Sequence, residues 1–73
     1  MDISEALKQL EAGQYITRKG LKFTQSSYFL HVAGGKKYLF IRSIRPHSGE
    51  VVVSPATMDY DDLREKNWKV VAA

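Results

Sequence analysis

Three arginines stand near aromatic residues, in stretches rich in strand-forming side chains: Arg18, Arg42 and Arg45. A guanidinium group forms a planar fork that matches a phosphate, and an aromatic ring offers a surface on which a nucleotide base can stack. The combination indicates a binding site for a phosphorylated nucleotide. Solvated arginines at strand edges are an equally good interpretation.

Residue types that carry catalysis form no recognisable pattern in this sequence. His31 and His47 lack the spacing of a metal pair, no glycine-rich phosphate loop precedes a helix, and no nucleophile elbow is present. Asp59, Asp61 and Asp62 stand at a predicted helix start, where carboxylates cap the helix and complement its dipole. The sequence predicts a protein that is not an enzyme, with no catalytic residue, no metal site and no cofactor.

The elements that must position the arginines can be predicted from apolar spacing and turn residues. A first helix runs from Ile3, with Asp2 as its N-cap and Glu5 in the position of a capping box, and Gly13 ends it. The later elements are a strand over 15–18, a β-hairpin over 28–42, a short strand over 50–53 stopped by a proline, a short helix over 59–66 and a strand over 68–71. The predicted fold class is α+β, with an N-terminal helix packed on a mainly antiparallel sheet of three to five strands and a short C-terminal helix before the last strand.

The hairpin turns at Gly34-Gly35, which fixes the pairing of its two strands. The pairs expected on one face are Val32–Lys37, Leu30–Leu39 and Tyr28–Ile41. The other face carries His31, Tyr38, Phe29 and Phe40, with Arg42 and Ile44 further along. Both faces are rich in apolar groups, so we expect the second face to meet another copy of the chain; coverage by the short C-terminal helix is the alternative.

The composition describes one small domain over residues 1–73. Its hydrophobic fraction is 44% and its charged fraction 26%, which is typical of a globular chain, and its net charge of +3 favours a phosphate-bearing partner. A core this small is only marginally stable, and the sequence has no cysteine to reinforce it, so self-association is expected. No stretch is long and apolar enough to span a bilayer, and the sequence predicts a soluble, cytoplasmic protein without a membrane partner.

Two groups of motifs stand near the two ends of the chain. The N-terminal group is Ile3-Ser4-Glu5-Ala6-Leu7 followed by Leu10, Gly13, Ile16, Arg18 and Gly20. The C-terminal group is Gly49-Glu50-Val51-Val52-Val53-Ser54-Pro55 followed by Asp62-Leu63 and Asn67-Trp68-Lys69-Val70-Val71. Together they resemble the motifs of the Thoeris anti-defence protein two-like family of phage and prophage proteins, and the resemblance spans nearly the whole chain. It departs from the family where Leu21 and Val53 replace tryptophans, and where Glu65 and Asn67 replace an alanine and an acidic residue.

The resemblance implies a viral, anti-defence function without catalysis. Members of the family are sponges that form homo-oligomers and sequester cyclic nucleotide immune signals, such as cyclic ADP-ribose isomers, between subunits. For this chain it implies a homodimer or homotetramer in the host cytoplasm that binds a small phosphorylated nucleotide at a subunit interface.

The expected ligand-binding residues are five. Arg18 would contact phosphate, Phe23 or Tyr28 would supply a stacking ring, and Ser54 and Asn67 would donate or accept hydrogen bonds.

Other interpretations remain open at this point. Arg18 is equally suited to a salt bridge with Glu11 or Asp62, and Trp68 is expected to be a core anchor rather than a ligand contact. The chain could instead be a small nucleic-acid-binding module that uses the face formed by Phe29, Tyr38, Phe40 and Arg42. A third possibility is a protein–protein adaptor or inhibitor.

Overall fold

The computed structural model describes residues 1–21 and 25–71, which form one five-stranded antiparallel sheet and two helices. The elements in chain order are α1 (Ile3–Glu11), β1 (Tyr15–Arg18), β2 (Ser27–Ala33), β3 (Lys36–Ile44), β4 (Val51–Pro55), α2 (Tyr60–Arg64) and β5 (Trp68–Val71). The strand order is β4-β3-β2-β1-β5, so β4 and β5 are the edges. The predicted α+β fold is confirmed.

Helix α1 begins and ends at the residues that the sequence indicated. The side chain of Asp2 accepts a hydrogen bond from the backbone N–H of Glu5, which is one half of the expected capping box. At the other end Gly13 has a φ of +90°, a conformation that glycine adopts without steric strain, and its N–H donates to the carbonyl of Leu10. Local chemistry therefore sets both ends of this helix.

The central hairpin has the predicted register. Gly34 and Gly35 both have positive φ, as a two-residue turn between strands requires. Residue pairs along β2 and β3 include Tyr28–Ile41, Phe29–Phe40, Leu30–Leu39, His31–Tyr38 and Val32–Lys37. One turn thus decides which side chains lie on each face of the sheet.

Both helices lie on the same face of the sheet. The buried core comprises Ala6, Leu10, Ile16, Tyr28 and Trp68, and α1 packs against β1, β2 and β5. Helix α2 contacts α1 and reaches core residues through Asp62, which hydrogen bonds to Tyr28 and Trp68. The alternative in which α2 covers the second face is wrong, because the core and both helices use the first. We call the uncovered second face the open face.

Three of the predicted elements differ in length from the expectation. The hairpin predicted over 28–42 extends from Ser27 to Ile44. Helix α2 ends at Arg64 rather than at residue 66, because Glu65 already has an extended backbone with ψ 146°. Strand β4 includes Pro55 as its last residue, which is possible because an edge strand need not use every backbone N–H. In the described residues, 1–21 and 25–71, neither helix has the length and apolar character needed to cross a membrane.

Candidate functional site

A groove crosses one end of the open face, where β1 and β3 end and β2 and β5 begin. Its volume is about 610 Å³, within the range of sites that hold small ligands. The hydroxyl and amide side chains that line it are Thr17, Gln25, Ser26, Ser27 and Asn67. The cationic lining residues are Arg18, Lys19, Arg42 and Lys69, and the apolar ones are Ile44 and Val71. We call it the basic groove.

Four lining residues form a row across four neighbouring strands. Lys69 on β5 lies opposite Thr17 on β1, and Ser27 on β2 lies opposite Arg42 on β3. The pairing of β1 with β2 places Thr17 beside Ser27. Because directly opposed residues share a face, hydroxyls stand in the middle of the row and a cation stands at each end. The cations at the two ends can attract an anionic ligand to the polar row between them.

Hydrogen bonds hold the wall of the groove in place. The hydroxyl of Thr17 donates to the carbonyl oxygen of Ser26 at 2.6 Å, and the hydroxyls of Ser26 and Ser43 lie 2.9 Å apart. Ser26 and Ser27 are both buried. These hydrogen bonds therefore anchor the start of β2 to β1 and β3.

A row of aromatic rings lies next to the groove on the open face. The rings of Tyr15 and Phe29 stack with centroids 5.0 Å apart, and those of Phe29 and Phe40 with centroids 5.9 Å apart. His31 meets the ring of Phe40 edge-on at 5.8 Å. We call Tyr15, Phe29 and Phe40 the aromatic row. These three side chains are only partly buried, so the row presents one continuous aromatic surface to solvent.

Carboxylates lie away from this face in the part of the chain that the structure describes. Seven of them are on α1 or α2 or directly beside these helices, and the eighth is in the turn before β4: Asp2, Glu5, Glu11, Asp59, Asp61, Asp62, Glu65 and Glu50. The open face carries Lys36, Arg42 and Lys69 on its strands. The charge of the molecule is thus divided between an acidic helical side and a basic sheet face, which favours anions at the sheet.

Arg18 is held in a buried ion pair. Its Nε donates to Oδ1 of Asp62 at 2.8 Å and its Nη2 lies 2.7 Å from the same oxygen, with side chains 11% and 6% exposed. Nη1 donates to the carbonyl of Lys19 at 3.2 Å, and the guanidinium carbon lies 5.9 Å from the ring centroid of Trp68. The salt bridge with Asp62, one of the two roles considered for Arg18, is present. Its role in binding a phosphate stays a prediction.

Asp62 links Arg18 to Tyr28 and to the cap of α2. Burial opposes the charge of Arg18, but the hydrogen bond and charge of Asp62 outweigh it, so the pKa of Arg18 is raised. Burial and the nearby charge of Asp62 raise the pKa of Tyr28, whose hydroxyl lies 3.4 Å from Oδ2. The same oxygen accepts the backbone N–H of Asp59. These contacts satisfy Asp62 and make it the polar centre of the core.

The sequence-predicted site residues do not form one cluster. Tyr28 is 5% exposed and faces the core, so its ring is covered by protein, whereas Asn67 lines the basic groove. Ser54 is exposed on β4, opposite Ile41, with β2 and β3 between it and β1. Phe23 lies outside the described residues. Of the five, Arg18 and Asn67 meet at the groove.

Other residues at the groove were not predicted. Thr17, Ser27 and Lys69 are ordinary strand residues whose meeting depends on the order of β5, β1 and β2. The register of β1 against β5 was the missing information, since no turn joins these strands. Strand alternation is a signal that the sequence contains, because it places Thr17 and Tyr15 on the face opposite Ile16.

The three aspartates near α2 have the structural roles that their positions suggested. Asp59 caps the helix and forms a reciprocal capping box with Asp62, and Asp61 forms an exposed ion pair with Arg64. In the described part of the chain no group of three or more histidine or acidic side chains is arranged to hold a metal ion.

The fold and the groove define a small α+β domain with one covered and one open sheet face. No protein-family model matches the chain, and no curated protein matches its sequence.

Proposed function

We propose that this protein binds a small phosphorylated nucleotide in the basic groove and sequesters it without converting it. The observation that carries the proposal is the polar row that ends in the cations Arg42 and Lys69, with Asn67 beside it. Charged donors bind phosphate oxygens most strongly, and the groove has room for one nucleotide. The adjoining aromatic row offers apolar contact to a base.

The resemblance to phage immune-evasion sponges supports a cyclic nucleotide signal as the ligand. The groove suits such a ligand because its phosphates are internal, either as diesters or within a diphosphate, and each exposes two non-bridging oxygens to donors. Capture of a signal requires tight, slow-releasing binding and no reaction, so the ligand would be recovered unchanged.

Assembly as a homodimer or homotetramer is part of the proposal. One end of the groove lies at β5, one of the two edge strands. An edge strand can pair with the same strand of another copy, and a second copy beside β5 would cover the open side of the groove. A ligand there would lie between subunits.

Titration calorimetry of the purified protein against a panel of cyclic mono- and dinucleotides and cyclic ADP-ribose isomers tests this function. We expect one class to bind, and the Lys69→Gln variant to bind it at least tenfold more weakly, about 1.4 kcal/mol. Lys8→Gln, which removes the same charge from α1 on the other side of the sheet, should bind as the parent does. Heat denaturation should then release the ligand, intact by mass spectrometry.

Two results would refute the proposal. One is a folded parent protein that binds no member of the panel. The other is a released ligand that has been cleaved, which would mean catalysis. Sedimentation equilibrium at micromolar concentration tests self-association separately, and it should give at least twice the mass of one chain. A monomer would refute the proposal that the ligand lies between subunits.

A further inference from the structure

The open face is larger than one nucleotide needs. The row from Lys69 to Arg42 crosses four strands, and neighbouring strands lie about 4.8 Å apart. The aromatic row lies two residues further along the same strands, which corresponds to roughly 7 Å. Two parallel tracks, one of cations and hydroxyls and one of rings, therefore run side by side across the sheet.

We propose that the open face also binds single-stranded nucleic acid, an activity beyond the sequestration of a small nucleotide. The sugar–phosphate backbone follows the basic groove, and the bases pack on Tyr15, Phe29 and Phe40. Rings give affinity without selecting a base, because every base has a π-face. The surface suits a strand with unpaired bases, because the bases of a duplex are stacked inside it and cannot reach a sheet.

Charge selects this occupant over a second copy of the chain. The open face carries Lys36, Arg42 and Lys69 on its strands, and the carboxylates of the described residues lie on the helical side or in the turn before β4. Two open faces packed together would bring like charges into contact, which is unfavourable. A polyanion has the opposite charge along its whole length, and it releases counterions when it binds.

The ion pairs of the described residues agree with this division. They join Arg18 to Asp62, Arg45 to Glu50 and Arg64 to Asp61. Within residues 1–21 and 25–71, Arg42 and Lys69 take part in none of them. Both cations are therefore available to phosphates without breaking an internal contact.

Fluorescence anisotropy with an end-labelled 12-nucleotide oligo-dT strand tests the inference. We expect the strand to bind at 50 mM salt and its affinity to fall as the salt concentration rises. For three phosphate contacts, the slope of log K against log salt should be near −2. The matching duplex should bind at least tenfold more weakly. The Lys69→Gln variant should shift the slope toward zero by about 0.7, the value for one lost contact.

A pair of aromatic variants separates stacking from charge alone. Phe29→Leu keeps an apolar side chain but removes the central ring, and it should weaken binding at least tenfold at unchanged salt slope. Tyr60→Leu removes an exposed ring from α2 on the helical side and should bind as the parent does. Far-ultraviolet circular dichroism tests whether each variant is folded. If Phe29→Leu is unfolded, Tyr15→Leu takes its place. Lys69→Gln gives an independent test of the same inference.

Three outcomes would overturn the inference: no binding of the strand at 50 mM salt, equal binding of strand and duplex, or loss of self-association in Phe29→Leu together with absent strand binding. The last would identify the face as an interface between copies. A parent that binds a cyclic nucleotide but no strand would leave the proposed function standing. A parent that binds the strand but no cyclic nucleotide would support this inference and refute the proposed function.

Discussion

The guanidinium of Arg18 places two of its nitrogens on a single carboxylate oxygen of Asp62, at 2.7 and 2.8 Å. These two residues are 44 positions apart in the chain, and their contact joins the end of β1 to α2. The second oxygen of Asp62 is shared between Tyr28 and the backbone N–H of Asp59. One buried carboxylate therefore connects the sheet, the second helix and the core.

Removing this carboxylate should be strongly destabilising. Asp62→Ala leaves a buried guanidinium without its partner, and we expect the free energy of unfolding to fall by about 3–5 kcal/mol. Asp61→Ala is the matched control, because Asp61 stands one residue away and pairs with Arg64 in an exposed site. That variant should lose no more than about 1 kcal/mol. Urea unfolding measures both, and similar losses for the two would contradict the role given to Asp62.

Arg18→Lys should separate stability from ligand binding. A lysine has one nitrogen and cannot reproduce the two contacts to Asp62, so we expect a loss of roughly 1–3 kcal/mol in unfolding free energy. Nucleotide affinity of the folded variant should change less than that of Lys69→Gln, because the guanidinium is occupied by Asp62. An unchanged melting temperature with at least tenfold weaker nucleotide binding would instead assign Arg18 to the ligand.

Trp68 is predicted to anchor β5 to the core. Its side chain is 2% exposed, its ring lies 5.9 Å from that of Tyr28, and its Nε1 donates to the carbonyl of Asp62 at 3.1 Å. Trp68→Ala should reduce the free energy of unfolding by about 3–5 kcal/mol. Trp68→Phe keeps much of the apolar contact and should lose less. If Trp68→Ala stays as stable as the parent in urea but no longer binds nucleotide, the residue belongs to the site.

The cap of α2 should make stability depend on pH in the acid range. The hydrogen bond from the backbone N–H of Asp62 lowers the pKa of Asp59 below its ordinary value of 3.8. The ionised carboxylate therefore stabilises the fold above that value, and this contribution is lost as the pH falls through the lowered pKa. Asp59→Asn keeps a capping oxygen that does not titrate. The gap in unfolding free energy between parent and variant should narrow from pH 7 to pH 2.5, and a constant gap would contradict the assignment.

Local signals in the sequence were enough to predict most of the fold. Helix α1 begins after Asp2 and ends before Gly13, and α2 begins after Asp59. Gly34 and Gly35 set the register of the hairpin. Each of these effects acts between residues close together in the chain, so it can be recognised without knowing the tertiary structure. The face on which Thr17 and Tyr15 lie also followed from alternation along β1.

The candidate site could be predicted only in part. Arg18 and Asn67 do line the groove, but the row also needs Lys69 on β5 beside Thr17 on β1, and these strands are joined by no turn. Their neighbouring positions come from the return of the chain after α2. The register of the hairpin places Tyr28, one of the two expected stacking rings, on the covered face and Phe29 on the open one.

The sequence by itself determined the elements, their ends and the register of the hairpin, because capping, turn geometry and alternation are short-range effects. Only the tertiary structure decided that both helices cover the same face and that Arg18 is paired with Asp62. It also decided that Lys69 and Arg42 flank one groove. Those outcomes depend on how elements distant in the chain pack around a small core, where burial of Trp68 and Asp62 fixes the position of α2 and β5 together.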